Sequence, residues 1–330
     1  MASSTRPLFG ITIGDSSGVG PEILLKAIAN NEIAQDFVAY GDLGALEFYN
    51  QALGYGVELR GIARAGEYVR GPLHVVDHRL LSAAQVTPGV LSRDSGAAAR
   101  AYVVSATRAA LAGEIAAMVT LPMNKEATQL SDPIFTGHTE LIGELCGSSD
   151  VTIMLASDQL IVTHVSTHMS LANAILAAKQ PRIRTIIRLT SEAVCRLKPD
   201  ARIAVAGLNP HAGENGLFGD EEINEIRPAV EWAKSQGMPV EGPFPPDTLF
   251  YMAVRRKQFD AIVCMYHDQG HVPLKLLDFE GGVNIALGLP IIRTSVDHGT
   301  AFDIAGKGVA STRSLLRAIE FAERLTGEST

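Results

Sequence analysis

The sequence has few cysteines and no block of charge of one sign. Cys146, Cys195 and Cys264 are far apart in the chain and form no Cys-x-x-Cys pair. Disulfide frameworks and thiolate sites need paired cysteines, so we expect buried thiols in a reducing compartment. The 28 Lys and Arg residues are scattered among 36 Asp and Glu residues, with a net charge of −8. This balance argues against nucleic acid and against an anionic membrane surface as partners.

Long apolar runs are also missing. None reaches the roughly 18 residues that a membrane span needs. The start MASSTRPLFG lacks the charged segment and apolar core of a secretion signal. We therefore expect a cytoplasmic protein without a membrane partner. The chain has 330 residues, 46% of them hydrophobic, which predicts two globular domains of roughly 150 residues each.

Short apolar runs alternate with helical periods along most of the chain, which predicts an α/β architecture. The segment DVTIMLASDQLIVTHVSTH breaks this alternation, because two apolar runs flank Ser157-Asp158. It predicts an antiparallel hairpin, and therefore a mixed, mostly parallel sheet. No Pro-, Gly- or Ser-rich linker separates two halves. A lobe built from both chain ends is thus as plausible as a division into front and back halves.

The segment GDSSGVGPE, residues 14–22, joins the first predicted strand to the first predicted helix. Many α/β proteins bind phosphate at such a junction. However, its glycines do not form Gly-x-Gly-x-x-Gly, and no Lys-Ser or Lys-Thr follows as in a P-loop. A tight turn without ligand contact and a functional loop both remain open.

Three histidines follow predicted strands: His168 after LIVTHVST, His211 after RIAVAGLNP and His267 after AIVCMY. The carboxyl ends of strands form the ligand crevice of open α/β sheets. Three imidazoles can bind one divalent metal and leave positions open for substrate. Singly, each residue is as well explained as a hydrogen-bonded loop histidine. The nearby Asp247 and Asp268 are either ligands, partners of an imidazole, or surface carboxylates.

Several residues are candidates for anion binding. HTELIGELCG places His138 and Thr139 at a helix start, where backbone N–H groups and the helix dipole can meet a phosphate. Thr139 can alternatively be a simple N-cap. Lys125, Arg293 and Lys275 add positive charge. Lys275 ends the stretch MYHDQGHVPLK and lies one helical turn past the predicted histidine-bearing loop. The loop RTSVDHGTAFDIAGKG, residues 293–308, is predicted to be functional.

Taken together, HTE, NPHAGE, MYHDQG, GGVNIALGLPIIRTS and DHGTAFDIAGKG resemble the 4-hydroxythreonine-4-phosphate dehydrogenase (PdxA) family essentially end to end. HGTAFDIAGKG is also similar to the HGSAPDIAGK-type loop of isocitrate and isopropylmalate dehydrogenases. The resemblance implies their two-lobed α/β fold. Residues 1–130 and 285–330 would form a lobe with much of the NAD site. Residues 131–284 would form the metal, substrate and dimerisation lobe.

The resemblance also implies roles for individual residues. It implies an NAD site, with NADP as the alternative, and one divalent metal, preferably Zn, with Co, Mn or Mg as alternatives. Partners would be a phosphorylated small molecule and a second copy of the chain, with the active site shared between subunits. The proton of the substrate hydroxyl would go to Lys275, Asp247 or a metal-bound water. The matching positions are His168, His211 and His267 for the metal; His138, Thr139, Lys275, Asn284 and Arg293 for the substrate; and His298, Gly299, Thr300, Asp303, Ile304 and Gly306 for the cofactor.

The implied reaction is oxidation of the C3 hydroxyl of a 4-phosphorylated four-carbon acid, followed by decarboxylation of the 3-keto acid. HDQGHVPLKLL and AVAGLNPHAGENGLFGDEE are most similar to the branch acting on D-threonate or D-erythronate 4-phosphate. The alternative is 4-phosphohydroxy-L-threonine in pyridoxal phosphate (vitamin B6) biosynthesis, a branch that often has an apolar residue where His271 stands. Ser16 replaces a proline common in the family. A phosphate acyltransferase and a non-catalytic metal- or anion-binding protein are competing hypotheses, but neither needs both the histidines and the DIAGKG loop.

Overall fold

The computed structural model describes residues 6–327 and divides into two compact units. Met1–Ser149 and Leu289–Thr330 form the first unit, and Asp150–Gly288 forms the second. The boundaries predicted at 130 and 285 lie instead at 149 and 288. The first boundary is later because the helix His138–Cys146 packs on Arg93–Leu111 of the first unit. The second is later because Val283–Leu287 pairs with Thr152–Ala156 of the second unit.

The first unit contains six strands in the order β3-β4-β2-β1-β5-β12, and all their pairings are parallel. The strands are β1 (Leu8–Thr12), β2 (Asp36–Gly41), β3 (Leu59–Ile62), β4 (Leu73–Asp77), β5 (Ala117–Thr120) and β12 (Arg293–Val296). The helices are α1 (Gly20–Ala29), α2 (Leu43–Leu53), α3 (Arg93–Leu111), α4 (Lys125–Gln129), α5 (His138–Cys146) and α11 (Arg313–Thr326). Parallel strands joined through helices are covered on both faces, so the central strands are buried along their length.

The second unit has a mixed sheet in the order β11-β6-β7-β10-β8-β9. Its strands are β6 (Thr152–Ala156), β7 (Ile161–His164), β8 (Ile203–Ala206), β9 (Val240–Phe244), β10 (Ala261–Cys264) and β11 (Val283–Leu287). Its helices are α6 (Leu171–Ala177), α7 (Gln180–Leu197), α8 (Arg227–Ser235), α9 (Pro246–Val254) and α10 (His267–Leu277). The predicted hairpin is confirmed, because β6 pairs with β7 antiparallel and Ser157 N donates to Leu160 O across the turn. The predicted α/β class with mostly parallel pairing is confirmed as well.

Amino-acid chemistry explains where these elements begin. Pro21 occupies the first turn of α1, where its missing N–H has no helical partner to lose. Ser92 caps α3 by accepting a hydrogen bond from Ser95 N. Across residues 6–327, no helix combines the length and the apolar character required to cross a bilayer.

Candidate active site

The three predicted histidines each follow the end of one of three neighbouring parallel strands of the second unit. β10 lies between β7 and β8 and pairs parallel with both. Their carboxyl ends therefore share one edge of the sheet. His168 follows β7, His267 follows β10 and His211 follows β8. The sheet thus orders the three histidines along one edge.

The imidazole rings at this edge form a cluster of four. The ring centroids of His168 and His267 are 5.7 Å apart. His271 stacks on His267 at 3.5 Å and lies 4.6 Å from His164. The ring of His211 packs instead against Phe218, at 6.0 Å. Within the described part of the chain, no three potential ligand side chains enclose a metal position.

The His211 loop has an unusual backbone. His211 to Asn215 all adopt positive φ, from 44° to 80°, and four of these five residues are not glycine. A side chain in this left-handed region costs roughly 1–2 kcal/mol per residue. The buried Glu222 carboxylate stabilises the loop by accepting from Leu208 N and Asn209 N, each at 2.7 Å. The fold therefore stabilises an otherwise unfavourable conformation around His211, a pattern typical of functional sites.

Neighbouring carboxylates define which imidazole nitrogens keep a lone pair. Asp268 Oδ1 lies 2.6 Å from His267 Nδ1, and Glu214 Oε2 lies 3.0 Å from His211 Nδ1. A carboxylate accepts from Nδ1–H, so the lone pair is on Nε2 in both rings. Carboxylate partners of this kind are typical of metal-binding histidines. The donor chemistry therefore fits a divalent cation.

His164 is a member of the imidazole cluster that we did not predict from the sequence. It is the last residue of β7 and fully buried, and burial together with the neighbouring His271, His267 and His168 lowers its pKa to about 3. The available signal was the pair His164 and His168, four residues apart at a strand end. A neutral imidazole beside two predicted ligands would add no positive charge that repels a cation bound there.

MYHDQGHVPLK is mostly helical, which corrects our prediction of a histidine-bearing loop. α10 begins at His267 and continues through Gly270 and Pro273. Both residue types usually end helices. Gly270 is needed here for close packing, because a Cβ at this position would lie 2.4 Å from His164 Nε2. His267, His271 and Lys275 therefore lie one turn or two apart on one helix.

A cavity of about 610 Å³ lies beside the histidine cluster, within the second unit. Its lining includes His168, His267 and Asp268, together with the apolar Met169 and Leu171. A space of this size can hold a small phosphorylated acid. Two of the three predicted metal residues, His168 and His267, therefore border a ligand-sized space.

The first unit contains a buried cation that lacks an ion-pair partner among the described residues. Arg293, at the start of β12, is 3% exposed, and its Nε and Nη2 donate to Thr120 Oγ1 at 3.1 and 2.7 Å. Among the described residues it forms no ion pair. Burial lowers its pKa to about 10, and Glu140 opposes this shift. A buried guanidinium with spare donors is suited to bind an oxyanion.

His138 lies close enough to Arg293 for the guanidinium charge to affect the pKa of the His138 ring. It is the first residue of α5, and Gly137 is the N-cap without a side-chain hydrogen bond. Thr139 is therefore not the N-cap that we considered. His138 Nε2 is buried without a hydrogen-bond partner. Burial, and then the positive charge of Arg293, lower the pKa of His138 to about 3. The neutral ring and the helix start fit an anion subsite.

The other predicted substrate and catalytic residues are placed differently. Asn284 lies in β11, and its Oδ1 is buried without a partner. Lys275 places Nζ 5.3 Å from the centre of the Phe279 ring. Asp247 is exposed in the first turn of α9, and Lys125 is exposed at the start of α4.

The predicted cofactor loop is anchored on α1. Glu22 accepts hydrogen bonds from Gly306 N at 2.7 Å and Ala310 N at 3.3 Å, and Lys26 Nζ donates to Ala310 O at 2.8 Å. His298, Gly299 and Asp303 are exposed, whereas Thr300 is buried and Ile304 half-buried.

The segment GDSSGVGPE takes part in this packing. Val19 N donates to Thr300 O at 3.0 Å. A Cβ at Gly18 would lie 2.9 Å from Thr300 O. The segment therefore packs against the predicted cofactor loop, and this packing is compatible with both roles that the sequence left open.

Solved structures with distant sequences share this fold. A β-decarboxylating dehydrogenase from Thermococcus kodakarensis is 13% identical with a TM-score of 0.51, over 97% of this chain and 83% of that one. EutD phosphotransacetylase from Staphylococcus aureus is 11% identical with a TM-score of 0.56, over 97% and 94%. The fold alone therefore does not distinguish dehydrogenation from acyl transfer.

Closer relatives make that distinction. D-threonate 4-phosphate dehydrogenase from Salmonella typhimurium is 46% identical, over 96% of this chain and 98% of that protein. 4-Hydroxythreonine-4-phosphate dehydrogenase from Desulforapulum autotrophicum is 44% identical, over 97% and 96%. The solved 4-hydroxythreonine-4-phosphate dehydrogenase from Klebsiella pneumoniae is 42% identical with a TM-score of 0.88, over 97% and 99%. The family described as pyridoxal phosphate biosynthetic protein PdxA matches residues 32–322. The chain therefore belongs to the PdxA family, and these relatives confirm the dehydrogenase class that its motifs predicted.

Proposed function

We propose that the protein oxidises the C3 hydroxyl of D-threonate or D-erythronate 4-phosphate with NAD and a divalent metal, and that the resulting 3-keto acid loses CO2. The observation that carries the proposal is the row of histidines on three adjacent strand ends, with carboxylates on Nδ1 of His211 and His267. The relative from Salmonella typhimurium, named D-threonate 4-phosphate dehydrogenase, supports this substrate class. The oxidation moves a hydride to NAD and a proton to a base, and the later step breaks the bond to the carboxylate carbon.

We assign the metal to His168, His211 and His267, through neutral imidazole nitrogens. Imidazole ligands suit Zn, with Co, Mn or Mg as alternatives. When bound, such a cation would lower the pKa of the substrate hydroxyl and NAD would accept the hydride. Asp268 and Glu214 orient two of the rings, because each accepts from an Nδ1–H. This leaves a lone pair on Nε2 of each ring.

We assign anion binding to Arg293, His138 and Thr139 in the first unit and to Asn284 and Lys275 in the second. The spare guanidinium donors of Arg293 and the N–H groups at the start of α5 suit phosphate or carboxylate oxygens. The hydroxyl proton would pass to Lys275 or Asp247, or to water. Lys275 is the stronger candidate, because it shares α10 with His267.

We assign NAD, with NADP as the alternative, to the loop containing His298, Gly299, Thr300, Asp303, Ile304 and Gly306. The Glu22 carboxylate accepts hydrogen bonds from backbone N–H groups of this loop and so fixes its conformation. The proposed cofactor site therefore does not need the Gly-rich turn of a Rossmann fold. Exposed groups at His298 and Asp303 remain available for a ribose or an adenine. The proposal thus explains why the sequence carries no Rossmann fingerprint.

We propose that the protein works as a homodimer in the cytoplasm, with the active site shared between subunits. The second unit exposes large apolar side chains, among them Leu276 at 85% and Phe279 at 73%. Such residues usually mark an interaction surface when they are clustered. All three cysteines are free, which suits a reducing compartment.

The second candidate is the oxidation of 4-phosphohydroxy-L-threonine, which would place the protein in vitamin B6 biosynthesis. It is favoured by the 44% identity to the Desulforapulum autotrophicum enzyme. The two candidates differ at C2 of the substrate, which carries a hydroxyl in one and an amine in the other. They predict the same metal and the same cofactor.

The test is NADH formation by the purified protein with each substrate in turn: D-threonate 4-phosphate, D-erythronate 4-phosphate and 4-phosphohydroxy-L-threonine. Each assay is repeated with Zn, Co, Mn and Mg. We expect the highest kcat/KM with one of the two hydroxy acids. A higher value with 4-phosphohydroxy-L-threonine would select the second candidate, and acyl transfer without any NADH would overturn both.

A further inference from the structure

The ring of His164, at the end of β7, contacts the ring of His271 on α10. Its Nε2 lies 3.2 Å from His271 Nδ1. The same His271 nitrogen lies 3.1 Å from the backbone oxygen of His267. These two contacts connect the buried end of β7 to the first turn of α10.

The contacts define the tautomer of both rings. A carbonyl oxygen only accepts, so His271 Nδ1 must carry the hydrogen that it shares with His267 O and His164 Nε2. His164 Nε2 is then the acceptor, and the His164 proton is on Nδ1. That nitrogen is buried without a hydrogen bond of normal geometry and faces the backbone of Ile153. The alternative tautomer would set two lone pairs against each other at 3.1 Å.

Packing restricts the orientations that the His271 and His267 rings can adopt. The His271 ring is stacked on the His267 ring with an interplanar angle of 11°. Gly270 allows α10 to pack this closely, since a Cβ at this position would lie 2.4 Å from His164 Nε2 and 3.0 Å from Cys264 Sγ. On its other side His267 is held by Asp268. The orientation of His267 therefore depends on a ring that His164 holds.

We propose that His164 is a positioning residue: by accepting a hydrogen bond from His271 it keeps that ring stacked on His267, and thereby directs Nε2 of His267 toward a bound divalent cation. The inference rests on the proposed metal site for its consequence, but not for the hydrogen bond itself. His164 touches neither substrate nor cofactor in this role. It acts through His271 alone.

The hydrogen bond is tested on metal-free protein by long-range proton–nitrogen NMR of labelled histidines. We expect His271 to carry its proton on Nδ1, and we expect His164→Leu to abolish that preference. His164→Gln keeps an amide oxygen near the position of Nε2 and should retain it. A wild-type His271 protonated on Nε2 would overturn the inference.

The consequence is tested by titrating the same proteins with Co(II) and recording the visible absorption of the bound ion. Loss of a histidine's outer partner typically weakens metal binding about 10–100-fold. We expect a loss of this size and a changed spectrum for His164→Leu, and a smaller loss for His164→Gln. Thr163→Val is the matched control, because buried Thr163 lies on the same strand but bonds to Thr190.

Each outcome distinguishes the two proposals. Wild-type affinity in His164→Leu, or an equal loss in Thr163→Val, overturns the positioning role. If the wild-type protein binds no Co(II), the proposed metal site falls, while the NMR result still decides the hydrogen bond. If His164→Leu does not fold, His164→Gln and the tautomer of the wild-type protein decide the inference.

Discussion

At the scale of single residues, the candidate site contains buried polar groups that do not stabilise the fold. Arg293 is a buried cation whose side chain, among the described residues, donates hydrogen bonds only to the Thr120 hydroxyl. Desolvation of a guanidinium is unfavourable unless a charge or several acceptors replace the water. A bound anion would supply the charge and acceptors that replace this water, which would account for a buried arginine at an anion-binding site.

Arg293→Met should therefore separate stability from binding. We expect the free energy of unfolding to rise by about 1 kcal/mol or more, since removing a buried unpaired charge is often stabilising. We expect KM for the phosphorylated substrate to rise roughly 10–100-fold, because charged hydrogen bonds contribute about 1.5–3 kcal/mol. Urea unfolding and steady-state kinetics measure the two effects. A destabilised variant with unchanged KM would contradict this account.

His138 predicts a pH dependence of stability. Its pKa is about 3 in the folded protein and 6.5 in the reference state. Between these values the unfolded chain binds the proton and the folded chain does not, so stability falls as pH falls below about 6.5. His138→Gln should reduce this slope by up to about 1.4 kcal/mol per pH unit. Urea unfolding at a series of pH values measures it, and an unchanged slope would show that the ring is not kept neutral.

At the scale of elements, two buried glutamates anchor the two loops that we propose bind the cofactor and the metal. Glu22 of α1 accepts from the backbone of the 306–310 segment, and Glu222 accepts from Leu208 N and Asn209 N. In each case a carboxylate from a helix fixes backbone N–H groups that no strand or helix would satisfy. The loops differ in their proposed ligand, NAD for one and the metal for the other.

The substitutions Glu22→Gln and Glu222→Gln are therefore matched controls for each other. We expect Glu22→Gln to weaken NAD binding about 10-fold and to leave metal affinity unchanged. We expect Glu222→Gln to do the reverse, because the left-handed His211 loop loses its anchor. Calorimetric titration with NAD and with Zn measures both. Equal losses of both ligands in both variants would mean that the glutamates support only the general fold.

Elements also show what sequence patterns could and could not predict. The hairpin β6–β7 was predictable because its apolar runs were interrupted at one turn. α10 was not, because Gly270 and Pro273 favour a loop in isolation, and the packing against His164 that requires Gly270 is invisible in the sequence. Strand ends could be placed by hydrophobicity. The direction of a side chain there, such as buried His164 beside exposed His168, depends on tertiary contacts.

At the scale of the whole molecule, the family and the dehydrogenase class could be predicted because several motifs recur together over most of the chain. The roles of individual residues remain predictions, since spacing along the chain does not determine how ligands converge. His211 illustrates this, because it follows the correct strand yet packs on Phe218.

The proposed homodimer predicts a mass near twice the 35.1 kDa of one chain in sedimentation equilibrium. Leu276→Glu should weaken association at least 10-fold, because it places a charge on an exposed apolar side chain of the second unit. Val69→Glu, an exposed apolar residue of the first unit, is the control. A wild-type protein that sediments as one chain would refute the dimer.

The central claim is that His168, His211 and His267 bind one cation that the oxidation requires. It is tested most directly by stripping the protein of metal and titrating Zn back while following NADH formation from D-threonate 4-phosphate. The account predicts no turnover without metal, full recovery at one Zn per chain, and no recovery in His267→Ala. Undiminished NADH formation by the metal-free protein would contradict it.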